Sequence, residues 1–193
     1  MTIKCYDMEK SEIQDIKDIK KELRAAMNGI LSAKMREAGA PYKLIFGVEL
    51  PRLQSIASEF HPSRMLAQEL WNENIRECKL LATMLMPPLE FLPEMADIWV
   101  DEISTAEVAQ VFSMQLLRKE SWCATVAFEW IASPAPMRQL CGFLCIARLL
   151  QQGAQLQDRS IEELKDQAQS LLPNADLPLR KAIIAATSFL SEK

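Results

Sequence analysis

Glycine is scarce, with five in 193 residues, and histidine occurs once, at His61. A lone histidine removes most Ser-His-Asp and Cys-His nucleophile schemes, in which an imidazole takes the proton of the attacking group. No apolar run reaches the roughly 18 residues that cross a bilayer, so no membrane association is expected. The opening Met-Thr-Ile-Lys-Cys-Tyr-Asp has no apolar core of the signal-peptide kind, and the expected location is cytoplasmic. No Cys-x-x-Cys occurs. The five cysteines, Cys5, Cys78, Cys123, Cys141 and Cys145, are odd in number and without a secretory signal, which argues for reduced thiols. Cys141 and Cys145 lie one helical turn apart and offer two zinc ligands, but neither a nearby His nor further Cys completes a set. No metal and no cofactor are expected, and the thiols read as buried apolar side chains. Positive charge is also in deficit: 22 Lys and Arg against 26 Asp and Glu leave a net charge of −4. A dedicated duplex-DNA binder is usually basic on at least one face.

What is present is the material of helices. Ala, Leu, Met, Gln, Glu and Lys far outweigh Val and Thr, which points to an all-α chain. The 49% apolar content suffices for a core, and the length suits a single domain over 1–193. In the N-terminal segment 9–38, Ile13, Ile16, Ile19, Leu23, Met27 and Ile30 recur at helical spacing, as one amphipathic helix or two broken near Asn28-Gly29. Gly39-Ala40-Pro41 ends it, and 42–48 is an apolar connector. Asn74-x-x-Glu77 reads as a helix cap, Pro87-Pro88 as a stop, and 89–100 as the next helix. Ser104-Thr105-Ala106-Glu107 reads as a capping box with Glu107 at its third position, and Ser160-x-x-Glu163 as another cap. Residues 151–193 hold the C-terminal helices. Strand alternation is missing throughout. Helix pairs recur about every 30 to 35 residues, a period that suits an α-solenoid, a curved superhelix of antiparallel HEAT-like pairs, with an irregular bundle as the alternative.

Over residues 42–150 the sequence resembles a known family. Phe46-Gly47-Val48-Glu49-Leu50-Pro51-Arg52-Leu53 is similar to the Gly-Val-x-x-Pro-x-Leu opening of the HEAT-like-repeat DNA alkylation repair family, which includes the bacterial alkylpurine DNA glycosylases. Leu70-Trp71, then Ile75-Arg76-Glu77-Cys78-Lys79-Leu80-Leu81-Ala82, match its next signature. Trp99-Val100, Phe128-Glu129-Trp130-Ile131 and Gly142-Phe143-x-x-Ile146-Ala147 follow at matching intervals. The resemblance implies a concave face that is basic in the active glycosylases, with aromatic groups against the lesion and a carboxylate that assists departure of the cationic base. Active members look like Trp-Asp-x-x-Asp after the Trp99-Val100 segment. Registering on Trp99 and on Met114-Gln115-Leu116 puts Ala106 at the tryptophan, Glu107 at the first acid and Gln110 at the second. A basic pair before the Gly-Phe segment falls on Gln139 and Leu140, with Arg138 beside them. With these positions replaced, efficient glycosylase activity is not expected. Glu107 is the one candidate for a substitute carboxylate, although a cap explains it locally.

Residues 87–117 hold Glu90, Glu94, Asp97, Asp101, Glu102 and Glu107 and no Lys or Arg, an edge that repels phosphate. Asp101 and Glu102 read as solvated. Basic residues occur elsewhere, at Lys43, Arg52, Arg76, Lys79, Arg118, Lys119, Arg138 and Arg148. Of these, Lys43, Arg52, Lys119 and Arg138 are the candidates for nucleic-acid contact, together with Trp122. Arg148, in an apolar stretch, is expected to pair with Glu129 or another acid. Trp71, Trp99 and Trp130 are expected in the core. The expected function is a DNA-repair-like protein with weak, salt-dependent association with DNA. The alternative is a non-catalytic scaffold that binds a protein partner on its concave face.

Overall fold

The computed structural model describes the backbone of residues 2–190 and the side chains of residues 12–190, so the Cys5 thiol lies outside the described residues. Among the described residues eleven α-helices follow one another: α1 (Thr2–Ala25), α2 (Gly29–Glu37), α3 (Leu50–Ser58), α4 (Arg64–Asn72), α5 (Arg76–Leu85), α6 (Pro93–Asp101), α7 (Ala106–Gln115), α8 (Cys123–Ala132), α9 (Pro136–Gln151), α10 (Asp158–Leu171) and α11 (Leu177–Ser188). Among the described residues the only extended pairing is an isolated bridge between Leu44 and Ile75. The helices form two compact units, Met1–Phe91 and Leu92–Lys193.

In the first unit, α4 and α5 pack as a hairpin, with α3 against α5 and α1 against α4. The N-terminal segment is two helices because Asn28 stops one and starts the other, its side chain accepting from the Leu31 N–H at 3.1 Å. Ile19 and Leu23 enter the core, while Ile13, Met27 and Ile30 are exposed. The apolar stripe therefore ends with α1, since Met27 lies in the turn and Ile30 in the first turn of α2.

The connector 42–48 is held by two devices. Gly47 has φ +74°, and a Cβ there would come within 2.4 Å of the Asn28 carbonyl oxygen and 2.6 Å of the Ser32 nitrogen, so only glycine fits. The carboxylate of Glu77 accepts the N–H groups of Phe46, Gly47 and Val48 at 3.1, 2.9 and 3.3 Å. Arg76 donates to Glu77 at 2.7 Å and to the Val48 carbonyl at 3.0 Å, with both side chains buried. Asn74 and Glu77 are thus not a cap. Ile75 occupies the cap position of α5, and Asn74 Oδ1 accepts from the Lys43 N–H at 3.1 Å.

In the second unit α9 is central, touching α6, α7, α8 and α11. Gly142 permits the approach of α8, because a Cβ would lie 2.6 Å from the Ala127 carbonyl oxygen and 2.7 Å from Ile131 Cγ1. Phe112 sits between Trp99 and Trp130, with ring centroids 6.2 and 6.4 Å away. Three boundaries differ from the sequence reading. The stretch 89–100 is a single turn at Pro88–Glu90 and then α6, which starts at Pro93 because proline suits the first helical position. Thr105, not Ser104, caps α7 by accepting from the Val108 N–H at 3.4 Å, so Glu107 is the second helical residue and no capping box forms. α10 begins at Asp158, which leaves Ser160 and Glu163 inside the helix.

Candidate functional site

Helix α7 divides sharply into two sides. Val108, Ala109, Val111 and Phe112 are buried, while Ala106 is half-buried and Glu107 and Gln110 are exposed. Gln110 follows Ala106 by four residues and Glu107 by three, so the three positions share one face. The structure therefore brings together, at the surface, the side chains that the sequence register aligned. This face carries one carboxylate, at the helix start where its charge complements the backbone dipole. Gln110 offers hydrogen bonds without charge.

Gln139 and Leu140 are not part of that surface. Both are buried, and Gln139 Nε2 donates to the Ser133 carbonyl at 2.7 Å, closing the turn between α8 and α9. A buried amide and a buried leucine cannot meet a phosphate.

Arg138 is also diverted. Its Nε and Nη2 donate to the two oxygens of Asp101 at 2.7 and 2.8 Å, and Nη1 donates to Asp97 Oδ1 at 2.8 Å. Trp130 Nε1 donates to the same Asp97 oxygen at 2.7 Å. The guanidinium thus clamps the end of α6 to α9 in a forked geometry. Asp101, expected to be solvated, is the last residue of α6 and is engaged. The Arg138 hydrogen bond holds its carboxyl below the usual range. Because the folded state depresses this acid, its contribution to stability is present above the ordinary aspartate range and is lost as pH falls below that range through the lowered folded-state value. Asp101 is more than half exposed, so solvent discounts the effect. Asp101→Asn should cost roughly 1 kcal/mol at neutral pH. Urea unfolding of wild type and variant should show that gap shrinking as pH falls below the ordinary aspartate range, and a gap that does not shrink there would contradict the assignment.

The remaining cations sort by partner. Arg52 pairs with Glu22 at 3.0 Å, with Glu59 at 3.8 Å, and so is partly neutralised. Arg76 is in the core. Lys79 sits over the Trp71 ring, 4.4 Å from its centroid. Arg148 donates to Gln151 at 2.9 Å, on its own helix, where Glu129 was expected. Lys43 and Lys119 are exposed and Trp122 is half-buried, while Trp71, Trp99 and Trp130 are buried as expected. A cleft of about 580 Å³ in the first unit is lined by Glu12, Asp15, Glu69 and Glu90 with His61 and Arg64, a balance that disfavours phosphate.

The described thiols are buried. Burial pushes Cys78 up to about 12. A hydrogen bond with Cys145, and then burial, raise Cys123, and burial raises Cys141. Protonated thiols are poor nucleophiles and poor ligands. Among the described residues no three His, Cys, Asp or Glu side chains are grouped to hold a metal, and no helix is long and apolar enough to cross a membrane.

Sequence reasoning missed the Arg76–Glu77 pair and the Arg138 clamp. The first had a signal: two adjacent opposite charges inside the apolar series Ile75, Cys78, Leu81, Ala82 and Leu85. The second had none, because its acids are 37 and 41 residues from the arginine.

A family model described as DNA alkylation repair enzyme matches residues 19–186. The chain is similar to a solved structure described as a new family of proteins related to the HEAT-like repeat DNA glycosylases with affinity for branched DNA structures. The two share 19% identity and superpose with a TM-score of 0.79 over 91% of this chain and 75% of that one. At that identity the likeness establishes the fold, an all-helical HEAT-like repeat. No curated protein sequence matches the chain.

Proposed function

The chain belongs to the DNA alkylation repair enzyme family, and from that premise we propose that it is a DNA-associated member that binds branched DNA and has no efficient alkylpurine glycosylase activity. The observation that carries this reading is the exposed face of α7, where Ala106, Glu107 and Gln110 stand together without an aromatic ring or a second acid. An N-alkylated purine is already cationic and leaves readily, so what an enzyme adds is positioning and a counter-charge for the developing sugar cation. Ala106 has no π-face to hold a nucleotide, and Gln110 has no charge. Arg138 is engaged by Asp97 and Asp101 and does not supply a phosphate contact.

The branched ligand is taken from the structural relative, whose description includes affinity for such DNA. A branch point brings several backbones to one protein face, so a few cations meet more phosphates than on a duplex. The net charge of −4 and the cation-free acidic stretch 87–117 support weak duplex affinity that falls steeply with salt.

Fluorescence anisotropy with a labelled four-way junction and a duplex of equal length tests this. Junction binding at low salt, weaker duplex binding and loss of both toward physiological salt are expected. Tight duplex binding that survives physiological salt, or no binding to either DNA at low salt, would overturn the reading. The second result would leave the protein-binding scaffold, which the acidic stretch favours, as the better account.

A further inference from the structure

Several cations already have acids. Arg52 is held by Glu22, and Arg138 by Asp97 and Asp101. Arg76 is buried on Glu77. Lys20 is bonded to Glu73. Helix α1 also carries three that do not. Lys17, Lys21 and Arg24 are exposed, and none has an ion pair among the described residues. Their spacing of four and then three residues puts them within about 60° of one another around a helix of 3.6 residues per turn. The buried side of α1, marked by Ile19 and Leu23, faces the other way and packs on α4.

The two acids bordering this stripe do not cancel it. Asp18 accepts from Gln14 at 3.0 Å on one margin. Glu22, one turn further along the same margin, accepts from Arg52 at 3.0 Å. What remains outward is a row of three cations about 10 Å long, the axial distance over which one strand of B-form DNA carries about three phosphates. It is also a place where the net negative charge of the chain is locally reversed.

We propose that Lys17, Lys21 and Arg24 form a phosphate-contact stripe, through which the outward face of α1 holds the backbone of bound DNA. The inference rests on the reading of the protein as a DNA binder and adds where the contact is made. It moves the contact away from Arg52 and Arg138, whose charges are engaged within the fold. The contact is electrostatic and reads no bases, so it contributes to affinity and salt dependence and not to sequence preference. Each cation that neutralises a phosphate releases condensed counterions, which gives every contact a measurable share of the salt slope.

The experiment compares four proteins on the labelled junction over a salt series. These are wild type, the neutralised Lys17→Ala/Lys21→Ala/Arg24→Ala variant, the charge-conserving Lys17→Arg/Lys21→Arg/Arg24→Lys variant, and Arg52→Ala. The neutralised variant should bind roughly tenfold or more weakly at low salt, and its log–log salt slope should be shallower by about 2 to 3. The charge-conserving variant should keep the wild-type slope, and Arg52→Ala, which frees Glu22 at the margin of the stripe, should lose less than the neutralised variant does. If wild type binds and the neutralised variant binds with the same affinity and slope, the stripe is overturned while DNA binding stands. If the charge-conserving variant loses as much as the neutralised one, charge is not the cause, and the stripe is again overturned. If wild type binds no DNA, the functional reading itself fails, and the stripe with it.

Discussion

Incubated with DNA carrying N3- or N7-alkylated purines, the protein should release the modified base at least about a hundredfold more slowly than an active member of its family. The rate loss follows from one uncharged side chain. At Gln110 an amide stands where the family resemblance expects a carboxylate, so the developing positive charge on the deoxyribose loses its nearest counter-charge. Removing a preorganised electrostatic partner of this kind costs on the order of 3 kcal/mol. Ala106, four residues earlier on the same face of α7, cannot stack on the nucleotide, although losses within one site need not add. The rival is Glu107, exposed on that face. Its place as the second residue of α7 gives it a local role at the helix dipole, so Glu107→Gln should leave base release unchanged at its low level. Robust release by wild type would sink the prediction. Its loss in Glu107→Gln would identify that acid as a recruited catalyst.

Replacing Glu77 by glutamine should destabilise the first unit by about 3 to 5 kcal/mol. The carboxylate is buried and accepts three consecutive N–H groups of the connector while facing the buried Arg76 guanidinium. An amide keeps one acceptor oxygen and takes away the charge that faces the buried arginine at 2.7 Å. In a chain of this size the loss corresponds to roughly 10 °C or more in melting temperature. Arg76→Met/Glu77→Gln should be less destabilised than Glu77→Gln alone, because deleting the buried cation removes the unpaired charge. Thermal melts and urea titrations of the two variants check this. A Glu77→Gln cost within about 1 kcal/mol, or a double variant worse than the single, would show that the pair does not hold the connector.

The helical character of the chain was legible from one end to the other, since spacing of three and four residues, asparagine and proline breaks, and the absence of alternation are all local properties. The break at Asn28 and the stop at Pro87-Pro88 required no knowledge of neighbours. The family signatures were legible too, and Gly47 and Gly142 now have a steric reason in the backbone atoms beside them. So was the shared face of Ala106, Glu107 and Gln110, because a helix converts spacing into direction. What charged residues do was not legible. Glu77 looked like a cap and is the anchor of a loop whose N–H groups lie about 30 residues earlier. Arg138 looked like a phosphate ligand, and Asp101 like a solvated edge, yet each is the other's partner across 37 residues. Arg52 is claimed by Glu22, while Lys17, Lys21 and Arg24 keep their charge for the solvent side. The reason is physical: helix formation depends on residues within one turn, whereas the fate of a charge depends on which opposite charge the packing of distant helices brings within hydrogen-bond distance.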